Sequence, residues 1–301
     1  MQQCSLTFTG PSPSIHFPHA AGASACRGSL KNGVIVANGA IGIFDSGVGG
    51  LTVLHATRNL LPGKDLVYLG DTARVPYGTK SPETVKRYAL QAAEFLVQQK
   101  VEMLVVACNT ASSVALDTLR ETFPVPVVGV IEPGAEQAIA ATRNKRVGVV
   151  GTEGTIQSGA YPQAIRQLDA QVEVWGQPCP LFVPLAEEGW AEHAVARMCA
   201  EEYLRNLMAH DIDTLVLGCT HYPLLKQVLR QVLGSEVALI DSAEATARKV
   251  VSLLDDTRMK QEGATGSVRF FVTDVPRRFC RVGGAFLGAE LVHVEQVEID
   301  R

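Results

Sequence analysis

Two cysteines of this chain have closely similar sequence surroundings. Cys108 ends the segment KVEMLVVAC, and Cys219 ends the segment DIDTLVLGC. If each apolar run is a strand of a parallel sheet, its carboxyl end meets the first turn of the next helix, where backbone N–H groups are free. The dipole of that helix would lower the pKa of the thiol, and the thiolate is the reactive form. One cysteine after a strand is more often a small buried hydrophobe, but two at equivalent positions favour a chemical role.

Polar residues follow each of these thiols. Asn109 and Thr110 follow the first cysteine, and Thr220 and His221 follow the second. Amide, hydroxyl and backbone N–H groups at a helix start suit a carboxylate or an oxyanion, although single residues of these types are often ordinary helix caps. His221 lies two positions after the second thiol and could set the protonation state of that thiol.

Asp45 and Ser46 precede the glycine-rich segment GVGG. This segment is not a dinucleotide fingerprint, because Thr52 stands where the third glycine would be, and the chain has no P-loop motif. The Asp-Ser pair could bind an ammonium group or orient a base, or it could be only a turn.

Two further motifs hold candidate residues. Tyr77 and Gly78 lie in the turn PYGT, which can present backbone N–H groups to an anion. Glu187 and Glu188 lie in PLAEEG and are expected to be solvated charges at a helix start, unless the fold brings them into a cleft.

Composition limits the class of protein. The 301 residues carry 27 basic and 31 acidic side chains, a net charge of −4, and 47% of them are hydrophobic. Such a chain forms a large core, most simply in two domains. The weakly acidic balance gives no support for nucleic-acid binding, and no apolar run reaches the ~18 residues that a membrane-spanning helix needs.

The seven cysteines include no C-x-x-C pair, so neither a disulfide framework nor a zinc finger is expected. We therefore expect a cytoplasmic protein with reduced thiols, no metal and no cofactor. Residues 1–38 are rich in Gly, Pro, Ser and Ala, do not resemble a secretory signal, and are predicted to form a flexible extension.

The elements that must position these groups alternate along the chain. Short apolar runs predict strands at 41–44, 66–69, 103–107, 125–130, 147–150, 215–217 and 237–240. Helical spacing predicts helices at 82–99, 111–122, 161–168, 192–209 and 223–233. This alternation predicts an α/β fold with mainly parallel sheets flanked by helices.

An internal repeat divides the chain. The two cysteine segments resemble each other, and IGIFDSG, which begins at residue 41, resembles VGVVGTE, which begins at residue 147. We expect two pseudo-symmetric domains, 39–131 plus 243–301 and 132–242, with the active site in the cleft between them. Two thiols on opposite sides of a small substrate could then invert a carbon acid: one would remove a proton from one face while the other donates a proton to the opposite face.

Five motifs together resemble the cofactor-independent glutamate racemases. They are IGIFDSGVGGL, GDTARVPYG, VACNTAS, FVPLAEEG and LGCTHYP, which occur in this order between about residues 41 and 290. The resemblance implies interconversion of L- and D-glutamate, supply of D-glutamate for peptidoglycan, and commonly a homodimer. It also implies that Cys108 and Cys219 are the acid/base thiols.

The same resemblance assigns the remaining residues. It implies that Asp45 assists the first thiol, while His221 and Glu187 assist the second. It implies substrate contacts from Asp45, Ser46, Tyr77, Gly78, Asn109, Thr110, Thr220 and His221. The ~40 residues before the Asp-Ser motif depart from the family pattern, and they could be a wrongly assigned start of the sequence, a disordered tail or a regulatory element.

Three other functions remain open. An aspartate racemase would have the same fold, but Thr-Glu rather than Thr220-His221 usually follows the second cysteine in that family. A thiol hydrolase or amidase would need only one nucleophilic cysteine and a histidine base. Some racemases of this kind inhibit DNA gyrase, a role that the acidic charge balance does not support.

Overall fold

The computed structural model describes residues 39–254 and 265–299. The predicted extension over residues 1–38 lies outside this part of the chain. The described residues form two sheets, of six and four strands, and every strand pairing in both sheets is parallel. Helices cover the sheets, as expected where parallel strands are joined by crossover connections. The predicted α/β class is therefore confirmed.

The first sheet has the strand order β10-β9-β2-β1-β3-β4. Its strands are β1 (Ala40–Asp45), β2 (Leu66–Gly70), β3 (Val101–Val106), β4 (Val127–Gly129), β9 (Val268–Val272) and β10 (Val294–Gln296). The central strand β1 is almost wholly buried, which explains its continuous apolar run. Its last residue, Asp45, therefore emerges in the middle of the carboxyl edge of the sheet.

The second sheet has the order β6-β5-β7-β8. Its strands are β5 (Arg146–Gly151), β6 (Glu173–Pro178), β7 (Thr214–Gly218) and β8 (Ala238–Asp241). This order reproduces β2-β1-β3-β4 of the first sheet. The two repeat pairs seen in the sequence, β1 with β5 and β3 with β7, thus occupy matching places. The boundaries predicted at residues 131/132 and 242/243 remain a prediction.

Eleven α-helices lie within the described residues. They are α1 (Leu51–Leu60), α2 (Pro82–Gln98), α3 (Asn109–Thr122), α4 (Ile131–Ala141), α5 (Glu153–Gln157), α6 (Ala160–Leu168), α7 (Phe182–Glu187), α8 (Ala194–Ala209), α9 (Lys226–Leu233), α10 (Ser242–Leu253) and α11 (Pro276–Leu287). Two 3₁₀ turns, Tyr77–Thr79 and Tyr222–Leu225, follow strands of the first and second sheet.

The structure differs from the sequence expectation at several elements. Strand β6 was not predicted, because its residues EVWGQP show neither an apolar run nor an alternation, and none of them is fully buried. Strands β9 and β10 and helices α1, α4, α5, α7, α10 and α11 were not predicted either. The helix expected over 223–233 begins instead as the turn Tyr222–Leu225 and becomes α-helical only at Lys226. Within the described residues, no helix is both long and apolar enough to span a membrane.

Candidate active site

Cys108 lies at the N-cap of α3, directly after strand β3. The backbone N–H of Ala111 donates to its Sγ at 3.5 Å, and the thiol lies 3.8 Å from the Ser46 hydroxyl oxygen. The side chain is almost fully buried. The predicted position at a strand end and helix start is therefore the observed one, and it brings Cys108 and Ser46 together.

The electrostatics of Cys108 differ from the sequence expectation. Burial, followed by the Asp45 carboxylate, raises the pKa of this thiol to about 12. Hydrogen bonds from Ala111 and Ser46 act in the opposite direction but are outweighed. The expectation of a thiol acidified by its helix is therefore wrong for Cys108, because desolvation and a neighbouring negative charge exceed the effect of the helix start.

Asp45 lies between the two cysteine segments. Its side chain is completely buried at the end of β1 and accepts hydrogen bonds from the Gly47 N–H at 3.0 Å and the Thr220 hydroxyl at 3.4 Å. Burial raises the pKa of Asp45 above its usual range, although His221 and several backbone N–H groups oppose this shift. A residue of the first sheet thus contacts the segment that follows the second thiol.

Cys219 directly follows β7 and is the first member of a chain of polar contacts. Its Sγ lies 3.9 Å from Nδ1 of His221, and Nε2 of the same ring lies 3.0 Å from Oε1 of Glu187. The other oxygen of Glu187 accepts a hydrogen bond from Arg278 at 2.8 Å. Arg278 belongs to α11, which follows the first sheet, so this contact joins the two halves of the molecule.

The fold alters the prediction for Glu187. This residue ends α7 rather than beginning a helix, and its side chain is only 21% exposed. It is therefore not a solvated helix-start charge. The hydrogen bond from His221 holds the pKa of Glu187 below its usual range despite partial burial, and Arg278 adds to this effect.

His221 is stabilised in its charged form. Burial alone would lower its pKa, but hydrogen bonds to Cys219 and Glu187, with attraction to the Cys219 thiolate and to Asp45, raise it to about 10. The ring of Phe286 on α11 packs edge-on against the imidazole at 5.3 Å. Because Cys219 is followed by a 3₁₀ turn rather than by an α-helix, this histidine, not a helix dipole, supplies the positive charge beside the sulfur.

The residues after Cys108 contact the second half of the molecule. The Thr110 hydroxyl lies 2.9 Å from that of Thr152 and 3.2 Å from that of Thr155. Tyr161 on α6 donates to Oδ1 of Asn109 at 2.7 Å. Sequence reasoning did not assign a role to these three partners, although the repeat aligns Thr152 with Ser46 and so offered a signal for that residue.

Tyr77 and Gly78 lie in a loop beside the same contacts. The Tyr77 hydroxyl donates to the buried carboxylate of Asp71, which fixes the loop from within. A Cβ atom at Gly78 would clash with Thr152, and one at Gly49 would clash with Thr220 and His221. The absence of a side chain at these two glycines therefore lets the two halves approach closely.

These contacts bring the two cysteine segments to one region of the molecule. Comparison with known proteins identifies the family to which the chain belongs. The family model for Asp/Glu/hydantoin racemases matches residues 52–250. The chain belongs to this family. The glutamate racemase of Geobacter metallireducens is 57% identical over 262 residues, which cover 87% of this chain and 97% of that protein.

Solved structures of this racemase family have the same fold. Glutamate racemase RacE1 of Bacillus anthracis has a TM-score of 0.83 at 39% identity, covering 86% of this chain and 97% of that chain. Glutamate racemase of Francisella tularensis, solved in complex with D-glutamate, has a TM-score of 0.81 at 40% identity, covering 87% and 98%. The resemblance seen in the sequence motifs is therefore confirmed.

The arrangement can perform proton transfer of the kind that a racemase needs. Burial is the largest cause of the raised pKa of Cys108, but a negative charge on Cys219 would add to it, so the two sulfurs lie within electrostatic range of each other. Cys179, Cys199 and Cys280 form no disulfide in the described part of the chain. Over residues 39–254 and 265–299, no three His, Cys, Asp or Glu side chains form a group that could hold a metal ion.

Proposed function

We propose that this protein interconverts L- and D-glutamate, with Cys108 and Cys219 as the two acid/base groups. The observation that carries the proposal is that two thiols at repeat-equivalent strand ends, one from each sheet, converge on one buried region with different charged partners. High identity to glutamate racemases over most of the chain supports glutamate as the substrate.

The reaction needs only proton transfer. A thiolate on one side removes the proton from Cα and becomes a thiol, while the electron pair of the C–H bond spreads into the neighbouring carboxylate group. The thiol on the other side gives its proton to the opposite face of Cα and becomes a thiolate. The atoms and charges balance, the configuration is inverted, and nothing is oxidised or reduced. The reverse reaction uses the same two groups with their roles exchanged.

The neighbouring residues would support each thiol. Asp45 would assist Cys108, while His221, backed by Glu187, would assist Cys219. The substrate would be held by Asp45, Ser46, Tyr77, Gly78, Asn109, Thr110, Thr220 and His221. Hydrogen-bond donors fixed around a buried carboxylate would stabilise the negative charge that develops in the transition state. The proposed reaction requires no cofactor.

The proposal also covers the cellular role, the location and the oligomeric state of the enzyme. D-Glutamate made in the cytoplasm would serve peptidoglycan synthesis, and the enzyme would act as a homodimer of two-domain chains, 39–131 plus 243–301 and 132–242. The family resemblance supports these points. Sedimentation of the purified protein tests the dimer.

Chiral analysis of the purified protein with each substrate tests the function. Both L- and D-glutamate should be converted to the racemate, whereas L-aspartate should be left essentially unchanged. Preferential racemisation of aspartate would show that aspartate, rather than glutamate, is the substrate. Hydrolysis of an amide without racemisation would favour a single-cysteine hydrolase.

A further inference from the structure

Tyr161 makes a buried hydrogen bond across the two halves of the molecule. It lies on α6, which packs with the second sheet, whereas its partner Asn109 begins α3 of the first sheet. The phenol donates to Oδ1 of Asn109 at 2.7 Å, and both side chains are at least 97% buried. No sequence motif singled out this tyrosine.

The bond fixes which way the Asn109 amide faces. An amide has an acceptor oxygen and a donor nitrogen on opposite branches of one plane. Since the oxygen is held by Tyr161, the nitrogen must point to the other side. Within the described part of the chain, Nδ2 of Asn109 is buried and has no hydrogen-bond partner.

An unpaired buried donor next to Cys108 is costly unless a ligand uses it. Leaving such a group unsatisfied destabilises the folded protein. A ligand with a carboxylate supplies the acceptor that is missing, and an amide N–H bound to a carboxylate is a stronger bond than a neutral pair. The orphaned nitrogen therefore indicates where a negatively charged oxygen of the ligand would lie.

Tyr161 remains a donor under ordinary conditions. Burial raises the pKa of its phenol well above the usual range, although the Ser242 hydroxyl opposes this shift by hydrogen bonding to it. Because Ser242 interacts with the phenol oxygen, the phenol proton is free to face Asn109. The amide is thus held in one orientation by a donor that does not ionise near neutral pH.

We propose that Tyr161 is a positioning residue, which orients Asn109 from across the domain boundary so that Nδ2 binds a carboxylate of the substrate. This inference rests on the proposed function, because it takes glutamate as the ligand. Tyr161 itself need not touch the substrate. It makes carboxylate binding depend on contact between the two halves.

Replacing Tyr161 with Phe tests the inference. Phe keeps the ring that fills the site and removes only the hydroxyl, so the thermal unfolding midpoint should stay close to that of the wild type. Without the donor, the amide can rotate and present its oxygen to the substrate. The KM for glutamate should then rise about ten-fold, because losing a hydrogen bond to a charged group typically weakens binding by about this factor. The kcat should change less than about three-fold.

Tyr203→Phe is the matched control. This tyrosine of α8 accepts a hydrogen bond from the Leu181 N–H and packs its ring against Phe182, and neither partner is a candidate site residue. Its removal should leave KM and kcat unchanged.

A double-mutant cycle separates positioning from general loss of structure. In an Asn109→Ala background, Tyr161→Phe should change KM by less than two-fold, because the group that it orients is gone. The same large rise in both backgrounds, or an unchanged KM in the single variant, would overturn the inference alone. Failure of the wild-type protein to racemise glutamate would instead overturn the proposed function, and that result is obtained before any substitution is made.

Discussion

Cys108 and Cys219 occupy equivalent places in the internal repeat, but their surroundings differ. Cys108 follows β3 of the first sheet, and Cys219 follows β7, the equivalent strand of the second sheet. Cys108 then caps an α-helix and has a buried carboxylate, Asp45, as its charged neighbour. Cys219 precedes a 3₁₀ turn and has an imidazolium, His221, as its charged neighbour.

This difference shows that the repeat sets where the thiols lie, while their charged neighbours are residues that the two copies of the repeat do not share: Asp45, for example, aligns with Gly151. The carboxylate beside Cys108 adds to the effect of burial and raises the pKa of that thiol. His221, whose pKa is raised to about 10, places a positive charge 3.9 Å from the Cys219 sulfur. The two sulfurs therefore lie in opposite electrostatic surroundings, although a racemase must use each of them both as acid and as base.

The largest expected effect comes from removing one sulfur at a time. Cys108→Ala and Cys219→Ala should each lower racemisation at least about 10³-fold, because one of the two proton transfers is lost. Each variant should still exchange the α-proton of the one enantiomer that faces its remaining thiol. Proton NMR in deuterated water, with L- and D-glutamate supplied separately, measures this exchange.

The comparison predicts opposite enantiomer preferences for these two variants. It also predicts faster exchange by Cys219 alone than by Cys108 alone at neutral pH, since the latter is the thiol with the raised pKa. The double variant is the control and should exchange neither enantiomer. Substantial racemisation by either single variant would show that the two thiols do not share the reaction.

A smaller effect is expected from Asp45→Asn, which removes the negative charge beside Cys108. The pKa of this thiol should fall, because the carboxylate is one of the causes that raise it, while kcat should fall about 10²-fold with loss of the assisting group. The pH dependence of iodoacetamide labelling, read for each cysteine peptide by mass spectrometry, follows the pKa.

Cys199 serves as the internal control in that experiment. It lies on α8, away from Asp45, so its labelling profile should not change. A Cys108 profile that stays in place, or moves to higher pH, would contradict the assigned role of the carboxylate.

The smallest effect is expected from Glu187→Gln, which acts on the Cys219 side through His221. The pKa of His221 is about 10, above its ordinary value of 6.5, so the imidazolium is present at neutral pH and is lost as pH rises through about 10. Removing the Glu187 charge lowers this pKa. The alkaline limb of kcat/KM should therefore move to lower pH, with a loss of kcat at neutral pH of about ten-fold or less.

Arg278→Gln provides an opposite comparison for this variant. Arg278 contacts Glu187 from a half-exposed position, and removing its positive charge favours the His221 imidazolium, so the same limb should move slightly to higher pH. An alkaline limb unaffected by Glu187→Gln would remove Glu187 from the proton-transfer chain.

Much of the site could be predicted from the sequence because it follows from strand ends. The apolar runs before Cys108 and Cys219 predict strands, so each thiol is expected at a strand end. The polar residues that follow each cysteine in sequence are then expected at the same edge of the sheet. The partial burial of Glu187 could not be predicted, because it depends on how α7 packs on the second sheet and on Arg278 reaching it from α11. Tyr161 was missed for the same reason, since its partner is 52 residues away in sequence.

The sequence argument also gave the wrong direction for the pKa of Cys108. A helix start can be recognised from residue patterns, but the desolvation of a thiol and the approach of a buried carboxylate depend on packing between elements distant in the chain. Strand β6 was missed because it lies at the edge of its sheet and lacks an apolar signature.

Gly49 and Gly78 make backbone from one half lie directly against side chains of the other. A methyl group at Gly78 would press on Thr152 and act as a wedge between the two halves, whereas one at Gly49 would also press on the His221 ring. The spacing of the halves and the position of the imidazole beside Cys219 therefore depend on the same missing atom, so residue 49 has little room to change without disturbing both.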